Sequence, residues 1–324
     1  MTDWPPISLR EVLDARRRIA PYLGPTPLYR YPALDALTGA RVWVKHENHQ
    51  PVGAFKVRGG VNLISRLTEQ ERRSGVITAS TGNHGQSVAY AASLFEVPAT
   101  VCVPEAANPV KVESMRALGA DVIFHGADFD AAREHCESLA ARHGYRYIHS
   151  GNEPYLIAGV ATCALEILRE QPWIEAIVVP VGGGSGAAGA CLAAHAVDPR
   201  IEVIGVQAEA APAAYRSWRQ GTLVEASNST LAEGLATRTA FGLPQAIMAE
   251  LLTDFVLVSE EALLTATRIM IEKTRNLVEP AGAAPLAAVL SDPGRFAGRA
   301  VAIVCSGGNI SPAQLVALWP DAAR

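Results

Sequence analysis

Short apolar runs alternate along this chain with longer segments in which apolar residues recur every three or four positions. Residues 76–79 and 176–181 are continuous apolar runs with the length of strands that are buried on both faces. Residues 129–143 and 154–170 have the length and the spacing of helices. Because strands that alternate with helices build parallel sheets, the pattern predicts an α/β protein with parallel sheets flanked by helices.

The same pattern locates the individual elements. Strands are predicted at 76–79, 99–103, 121–124, 147–149, 176–181, 203–206 and 301–304. Helices are predicted at 8–20, 86–95, 109–118, 129–143, 154–170 and 260–275. A further helix is predicted to follow the glycine-rich residues 182–186 and to end at residue 196. Ser8 followed by Glu11 is the signature of a helix N-terminus. Residues 210–250 show no clear period.

The rhythm extends over the whole chain, and it predicts two units. A smaller α/β unit at 75–148 is inserted into a larger one, which is formed by residues 1–74 and 149–324. A chain of 324 residues is long enough to give both units a core.

Composition excludes several classes of function. The chain is 49% hydrophobic and 19% charged, which is typical of an ordinary globular protein. Its net charge of −4 gives no reason to expect nucleic acid or an anionic membrane as a partner. No apolar run approaches the ~20 residues of a membrane span. We therefore expect a small molecule as the partner, with no nucleic acid and no membrane.

The cysteines and the first residues indicate a compartment. The five cysteines form no Cys-x-x-Cys pair, which fits buried free thiols in a reducing environment. The first six residues lack the basic and then apolar layout of a signal peptide. We therefore expect a cytoplasmic protein.

Lys56 stands where a glycine-bearing loop, which follows a predicted strand at 42–44, becomes a predicted helix at 61–67. A helix N-terminus has unpaired N–H groups and positive potential, and Arg58 adds a charge nearby. Both should disfavour the ammonium form and leave the neutral amine that a Schiff-base nucleophile needs. A solvated surface lysine is the ordinary alternative. Against it, Lys56 follows Phe55 and is surrounded by glycines, as where backbone approaches a ligand closely.

Residues 182–186, Gly-Gly-Gly-Ser-Gly, follow a predicted central strand and precede a helix. Such a loop can bind a phosphate, because its N–H groups point at the anion and no side chain holds the anion away. Gly184, Gly186 and Gly189, with Glu209 near the end of the next strand, also fit a dinucleotide-binding pattern. A tight turn without a ligand is the third alternative.

Two further polar loops follow predicted strands. Residues 80–85, Ser-Thr-Gly-Asn-His-Gly, offer hydroxyl and N–H groups that suit a carboxylate, although a simple helix N-cap would look the same. His84 could be a base or a structural donor. Residues 306–309, Ser-Gly-Gly-Asn, end a strand on the same side of a parallel sheet as the other loops, and the hydroxyl of Ser306 could face a ring nitrogen.

Together these motifs resemble one family. The segments 48–59, 80–85, 182–186, 279–282 and 306–309 look like those of the threonine/serine dehydratase and serine racemase family, in the family's order and over nearly the whole chain. Members are pyridoxal-phosphate enzymes of the tryptophan-synthase-β fold, known as fold type II. The resemblance implies that fold, pyridoxal 5'-phosphate as cofactor and a homodimer.

The resemblance also implies a role for each matching position. Lys56 would carry the cofactor, Phe55 would pack on its ring, and Asn83 would bond its ring hydroxyl. The phosphate would be bound by Gly182, Gly183, Gly184, Ser185 and Gly186. Ser306 would meet the pyridine nitrogen, and Glu279 would lie near the reacting end of the cofactor. The substrate carboxylate would be bound by Ser80, Thr81, Asn83 and His84.

The chain departs from the family pattern at several places. Residues 159–162, Gly-Val-Ala-Thr, stand where the family has Gly-Gln-Gly-Thr, and the region after His149 reads Ser-Gly-Asn. Both segments would line the side-chain pocket, which leaves a substrate other than threonine open. Thr81 stands where serine racemases have the serine that acts as the second base, so racemisation is weakened. Glu209, Ala213 and Tyr215 stand where some members bind a divalent cation. A tyrosine does not replace a carboxylate as a ligand of a hard cation, so we expect no metal site.

These observations predict a pyridoxal-phosphate-dependent dehydratase, an ammonia-lyase. It would convert a β-hydroxy amino acid such as L-threonine or L-serine into a 2-oxo acid and ammonia, with Lys56 and Thr81 as catalytic residues. A serine racemase on the same cofactor is the first alternative. A nicotinamide-dependent oxidoreductase that uses the glycine run is the second.

Overall fold

Six strands form the larger of two sheets in the computed structural model, which describes residues 7–319. The strands of this sheet are β1 Leu28–Arg30, β2 Arg41–His46, β7 Ala176–Pro180, β8 Glu202–Ala208, β9 Asp254–Val258 and β10 Ala300–Cys305. Their order is β1-β2-β10-β7-β8-β9. Only the pairing of β1 with β2 is antiparallel among the described strands of this sheet. The central strands are apolar on both faces because helices cover both sides.

Four parallel strands form the smaller sheet. They are β3 Val76–Ala79, β4 Ala99–Val103, β5 Asp121–Phe124 and β6 Arg146–Tyr147, in the order β5-β4-β3-β6. All four belong to the stretch that was predicted as the inserted unit. The boundaries of the two units, at 74/75 and 148/149, stay a prediction.

Helices fill the connections between the strands. In chain order they are α1 Leu9–Ile19, α2 Pro32–Thr38, α3 Lys56–Ile64, α4 Glu69–Ser74, α5 Asn83–Leu94, α6 Pro109–Ala117, α7 Phe129–His143, α8 Pro154–Glu170, α9 Ser185–Val197, α10 Ala213–Gln220, α11 Gly242–Leu251, α12 Glu260–Thr274, α13 Pro280–Ser291, α14 Pro293–Phe296 and α15 Pro312–Leu318. Ser8 and Glu11 form the predicted reciprocal cap of α1.

Three differences from the sequence pattern affect the site. Helix α3 begins at Lys56, five residues before the start of the helix predicted at 61–67. Helix α5 begins at Asn83, three residues before its predicted start, so the polar loop at 80–85 contains the first turn of the helix. Residues 210–250 hold α10 and most of α11, joined by a long irregular segment. That segment has no period because it follows the surface of a cavity rather than a core face.

Helix α3, which carries Lys56, lies directly against α8. A Cβ atom built on Gly159 of α8 would be 2.5 Å from the Arg58 carbonyl oxygen, and one built on Gly59 would be 2.7 Å from the Cγ atom of Leu156. Both glycines are therefore needed for the two backbones to approach this closely. The contact fixes the position and the rotation of α3, and with them the direction of Lys56.

No helix within residues 7–319 is long and apolar enough to cross a membrane. The first six residues, on which the expectation about a signal peptide depends, lie outside the described residues.

Candidate active site

A cavity of about 1030 Å³ lies where the carboxyl ends of strands from both sheets meet. Every predicted site residue lines it: Phe55, Lys56, Ser80, Thr81, Asn83, His84, Gly182, Gly183, Gly184, Ser185, Gly186, Glu279 and Ser306. The expectation that the three polar loops lie on one side of one sheet is wrong. The loop at 80–85 follows β3 of the smaller sheet, whereas the other two follow β7 and β10 of the larger sheet.

Lys56 is the first residue of α3, and its side chain is half-buried in the wall of the cavity. Its Nζ atom donates to the carbonyl of Ser150 at 3.0 Å and to Oγ of Ser185 at 2.8 Å. Burial lowers the pKa of Lys56 to about 8, and no carboxylate is its hydrogen-bond partner among the described residues. The predicted preference for the neutral amine therefore has a cause in the structure.

The part of that prediction that concerned Arg58 is wrong. Arg58 points away from the cavity and is fully buried. Its guanidinium forms two-pronged ion pairs with Glu47, at 2.6 and 2.8 Å, and with Glu166, at 2.7 and 2.8 Å. Lys45 donates to the same Glu166 at 2.6 Å. Two acids balance two bases in this cluster, so the charge of Arg58 is not available to disfavour the ammonium of Lys56.

The glycine loop opens helix α9, which starts at Ser185. The first N–H groups of a helix have no partner inside the helix, so they are available to an anion. A Cβ atom on Gly186 would be 3.1 Å from the ring of Phe55, and one on Gly182 would overlap the carbonyl oxygen of Gly234. The loop therefore has glycines at the two points where the ring of Phe55 and the backbone of Gly234 come close to it. A loop without side chains at these points fits a phosphate group bound next to a flat ring.

The predicted carboxylate-binding residues lie at and just before the start of α5. The Ser80 hydroxyl accepts from the N–H of Gly82 at 3.2 Å, and Thr81 lines the cavity beside it. His84 is buried, with Nε2 3.5 Å from the carbonyl of Ile148 and with Nδ1 unpartnered among the described residues. Burial and the charge of Lys56 lower the pKa of His84 to about 3. The imidazole is therefore neutral.

Asn83 and Glu279 line the cavity, and a chain of hydrogen bonds joins them to Asn309 behind the wall. Asn83 donates to Oε1 of Glu279 at 2.8 Å, and Asn309 donates to Oδ1 of Asn83 at 2.7 Å. Burial raises the pKa of Glu279, although Lys111 and Asn83 oppose the shift. The Asn83 amide is therefore held in a fixed orientation with one N–H still able to donate. Ser306, at the end of β10, is buried beside it in the same cavity.

Several residues of the irregular segment line the cavity without being predicted from the sequence. Thr237, Arg238 and Phe241 lie on the wall, and Glu233 forms an ion pair with Lys111 of α6. Arg238 Nη1 lies 3.4 Å from Oδ2 of Asp130. No motif or period marks these positions, so only the folded chain shows them. Lys111 alone had a signal, a lysine one turn into a helix that begins after a strand.

Tyr215 stands at the position where a carboxylate ligand would be needed to bind a divalent cation. Its side chain packs into the core. Its ring meets that of Phe255 edge-on with centroids 5.6 Å apart, and its N–H donates to Gln207. Within residues 7–319 no cluster of three acidic, histidine or cysteine residues could hold a metal ion. The absence of a metal site stays a prediction.

The cavity thus holds a lysine amine within hydrogen-bond distance of the first residue of a helix that follows a glycine loop, together with the N-terminus of a second helix. This donor set fits a cofactor that carries both a phosphate and a carbonyl group. The family model described as "Pyridoxal-phosphate dependent enzyme" matches residues 19–307, so the chain belongs to that family. The match confirms the predicted cofactor. The cradle of residues 182–186 and the amine of Lys56 fit its phosphate and its aldehyde.

Known proteins resemble the chain over nearly its full length. It is 38% identical to an L-threonine ammonia-lyase of Thermotoga maritima, over 94% of the chain and 76% of that protein. It is 36% identical to an L-threo-3-hydroxyaspartate ammonia-lyase of Saccharomyces cerevisiae, over 93% of the chain and 92% of that protein. The structure of maize serine racemase superposes with a TM-score of 0.90 and 31% identity, covering 98% of each chain. The predicted family and fold class are confirmed.

Proposed function

We propose that this protein, whose relatives are pyridoxal-phosphate-dependent ammonia-lyases, converts a β-hydroxy amino acid such as L-threonine or L-serine into a 2-oxo acid and ammonia. One observation carries the proposal. The amine of Lys56 has a lowered pKa and lies within hydrogen-bond reach of Ser185, the first residue of the helix behind the glycine loop. Cofactor phosphate, reactive amine and substrate carboxylate can thus be bound in one cavity.

When it is bound, pyridoxal phosphate supplies an electron-withdrawing ring that stabilises negative charge on the substrate α-carbon. Phe55 and Ser306 orient that ring, and Asn83 donates to its hydroxyl. The residues at the start of α5, Ser80, Thr81, Asn83 and His84, bind the substrate carboxylate through hydroxyl and N–H groups. These roles are proposals that rest on the positions of the residues around the cavity.

Lys56 performs the proton transfer. A neutral amine accepts the α-proton, and burial in the cavity wall keeps a fraction of the amine neutral near physiological pH. The β-hydroxyl then leaves with a proton as water. Hydrolysis of the resulting enamine returns one water and releases ammonia, so the net products are a 2-oxo acid and ammonia.

Racemisation is the second candidate, because Thr81 places a hydroxyl on the cavity wall and maize serine racemase has the same fold. A threonine hydroxyl is a poorer second base than that of serine, since the β-methyl group restricts its rotamers. We propose elimination as the main reaction. The nicotinamide alternative is set aside because the chain belongs to the pyridoxal-phosphate family.

The proposal is tested by the colour of the protein and by its products. The purified protein should be yellow, and borohydride should fix the cofactor to a peptide that contains Lys56. Incubation with L-threonine and L-serine should release a 2-oxo acid and ammonia in equal amounts. A colourless protein that binds NADH, or D-serine formation faster than pyruvate release, would contradict the proposal.

Three finer features belong to the same proposal. We propose a homodimer on the basis of the family resemblance, which light scattering of the purified protein would test. We propose a cytoplasmic location because all five cysteines are buried and free of disulfides. We also propose that no divalent cation is required at Glu209, because the ring of Tyr215 is packed against Phe255. Loss of activity in a chelator, restored by Mg²⁺ or Ca²⁺, would contradict the last point.

A further inference from the structure

One wall of the cavity is an aromatic ring that sequence analysis did not identify. The ring edge of Phe241 lies on the backbone of Gly151 and of Gly183, and a Cβ atom on either glycine would overlap it. The ring also meets His149 edge-on, with centroids 4.6 Å apart. Three neighbours therefore fix the position of the ring in the cavity wall.

This ring lies beside the groups that contact the reactive amine. Lys56 donates to the carbonyl of Ser150, which precedes Gly151, and to Ser185, which is two residues after Gly183. The ring thus covers the backbone next to both partners of the amine. In the proposed reaction the amine of Lys56 takes the α-proton, so the substrate must come within reach of that amine. The ring of Phe241 packs on the residue next to Ser150, one of the two partners of the amine, and is therefore the apolar wall that we assign to the β-substituent.

The cationic side chains on the cavity have acidic partners. Lys111 is buried and paired with Glu233, and Arg238 is paired with Asp130. Among the cavity-lining residues that the structure describes, Lys56 is the one lysine or arginine without an acidic partner, and it is reserved for the cofactor.

The remaining titratable groups around the cavity do not favour a second carboxylate either. Burial, followed by the charge of Lys56, lowers the pKa of His149 to about 4, and His84 is likewise neutral. Further carboxylates face the same space: Asp128, Glu225 and Glu279. A substrate with a second negative charge would meet an apolar ring and an excess of acidic groups.

We infer that Phe241 determines substrate specificity, so that the cavity accepts a β-hydroxy amino acid with an uncharged β-substituent and discriminates against 3-hydroxyaspartate. The inference rests on the proposed function and narrows it. It gives this chain a substrate preference different from the one in the name of the L-threo-3-hydroxyaspartate ammonia-lyase to which it is 36% identical.

The test compares kcat/KM for L-threonine, L-serine and L-threo-3-hydroxyaspartate in the cofactor-loaded enzyme. In the unmodified protein, threonine should be preferred over hydroxyaspartate by about tenfold or more. Phe241→Ala should lower the threonine-to-serine ratio about tenfold, the effect of a lost apolar contact with one methyl group. Phe241→Arg should raise the hydroxyaspartate-to-threonine ratio about a hundredfold, because it places a cation in the wall.

Phe129→Ala is the matched control, since Phe129 lines the same cavity from the start of α7, whereas the atoms nearest to a Cβ on Gly151 or Gly183 all belong to Phe241. It should leave all three ratios unchanged. Ratios are insensitive to the fraction of folded enzyme, and the absorbance of bound cofactor checks that each variant is loaded. Equal turnover of hydroxyaspartate and threonine by the unmodified protein, or unchanged ratios in both Phe241 variants, would overturn the inference alone. Absence of 2-oxo acid from all three substrates would overturn the proposed function and the inference with it.

Discussion

The two faces of helix α3 carry basic side chains only two residues apart, in opposite electrostatic states. Lys56 faces the cavity, where its partners are a carbonyl and a hydroxyl, and its pKa falls to about 8. Arg58 faces the turn that follows β2 and helix α8, where Glu47 and Glu166 raise its pKa well above the usual value despite burial. Both groups are taken out of water, and only one receives a counter-charge.

The difference shows what determines whether a buried base stays charged. Burial disfavours the charged form of both side chains and so lowers the pKa of each. For Arg58 the two-pronged carboxylate partners outweigh this effect, and the pKa rises instead. The Arg58 cluster holds α3 against α8 and β2, while the same helix presents an amine that can lose its proton. Structural and chemical tasks are thus divided between the two faces of one helix.

The largest effect on activity should come from a change at Lys56, on the cavity face of α3. Lys56→Ala should lower 2-oxo acid release by about a thousandfold or more, because it removes both the attachment point of the cofactor and the base. Excess cofactor should not restore activity. The free energy of unfolding of the cofactor-free protein should not fall, since an amine buried without a counter-charge does not stabilise the fold. A variant that unfolds in less denaturant would show that Lys56 also supports the structure.

On the opposite face of α3, a change at Arg58 should lower the stability of the protein. Arg58→Met should lower the free energy of unfolding by about 3–5 kcal/mol, because it leaves Glu47 buried without a cation and Glu166 with Lys45 alone. Denaturant titration measures this. Arg58→Met combined with Glu47→Gln should cost less than Arg58→Met alone, since the unpaired charge is gone. A double variant as unstable as the sum of the two single variants would contradict the counter-charge argument.

Lys56 should contribute to the pH dependence of stability above pH 8. Between pH 8 and about 10.5 the folded protein binds fewer protons at this site than the unfolded chain, so the contribution of Lys56 to the free energy of unfolding rises with pH there. Burial raises the pKa of the thiols of Cys163, Cys191 and Cys305, which contribute a fall with pH that Lys56→Met does not alter. Below pH 8 the amine is charged in both states, and the cost of burying it is fully present. The difference between the unmodified protein and Lys56→Met should therefore change by about 3 kcal/mol across this window. Denaturant midpoints of the two cofactor-free proteins measure it, and parallel curves would contradict it.

The sequence predicted what local pattern controls. The family, fold class, cofactor and enzyme class are confirmed, and the apolar runs located most strands, because a buried strand must be apolar along its length. The roles of the site residues stay predictions, although all of them line one cavity. The sequence did not predict the neutralised Arg58 or the ring of Phe241. Both depend on contacts with residues far along the chain, at Glu166 and Gly151, which no local pattern reveals.

The smallest effect should come from Thr81, which lines the cavity on a wall that α3 does not form. Elimination needs a base on one face of the substrate only, and Lys56 supplies it. Thr81→Ala should therefore lower 2-oxo acid release by about tenfold or less, as for a lost hydrogen bond of ~1 kcal/mol. Thr81→Ser keeps the hydroxyl and frees its rotation, so it should raise the formation of D-serine from L-serine. Chiral chromatography alongside 2-oxo acid assays measures both reactions. A thousandfold loss in Thr81→Ala would place Thr81 on a level with Lys56, and the one-base account of elimination would then fail.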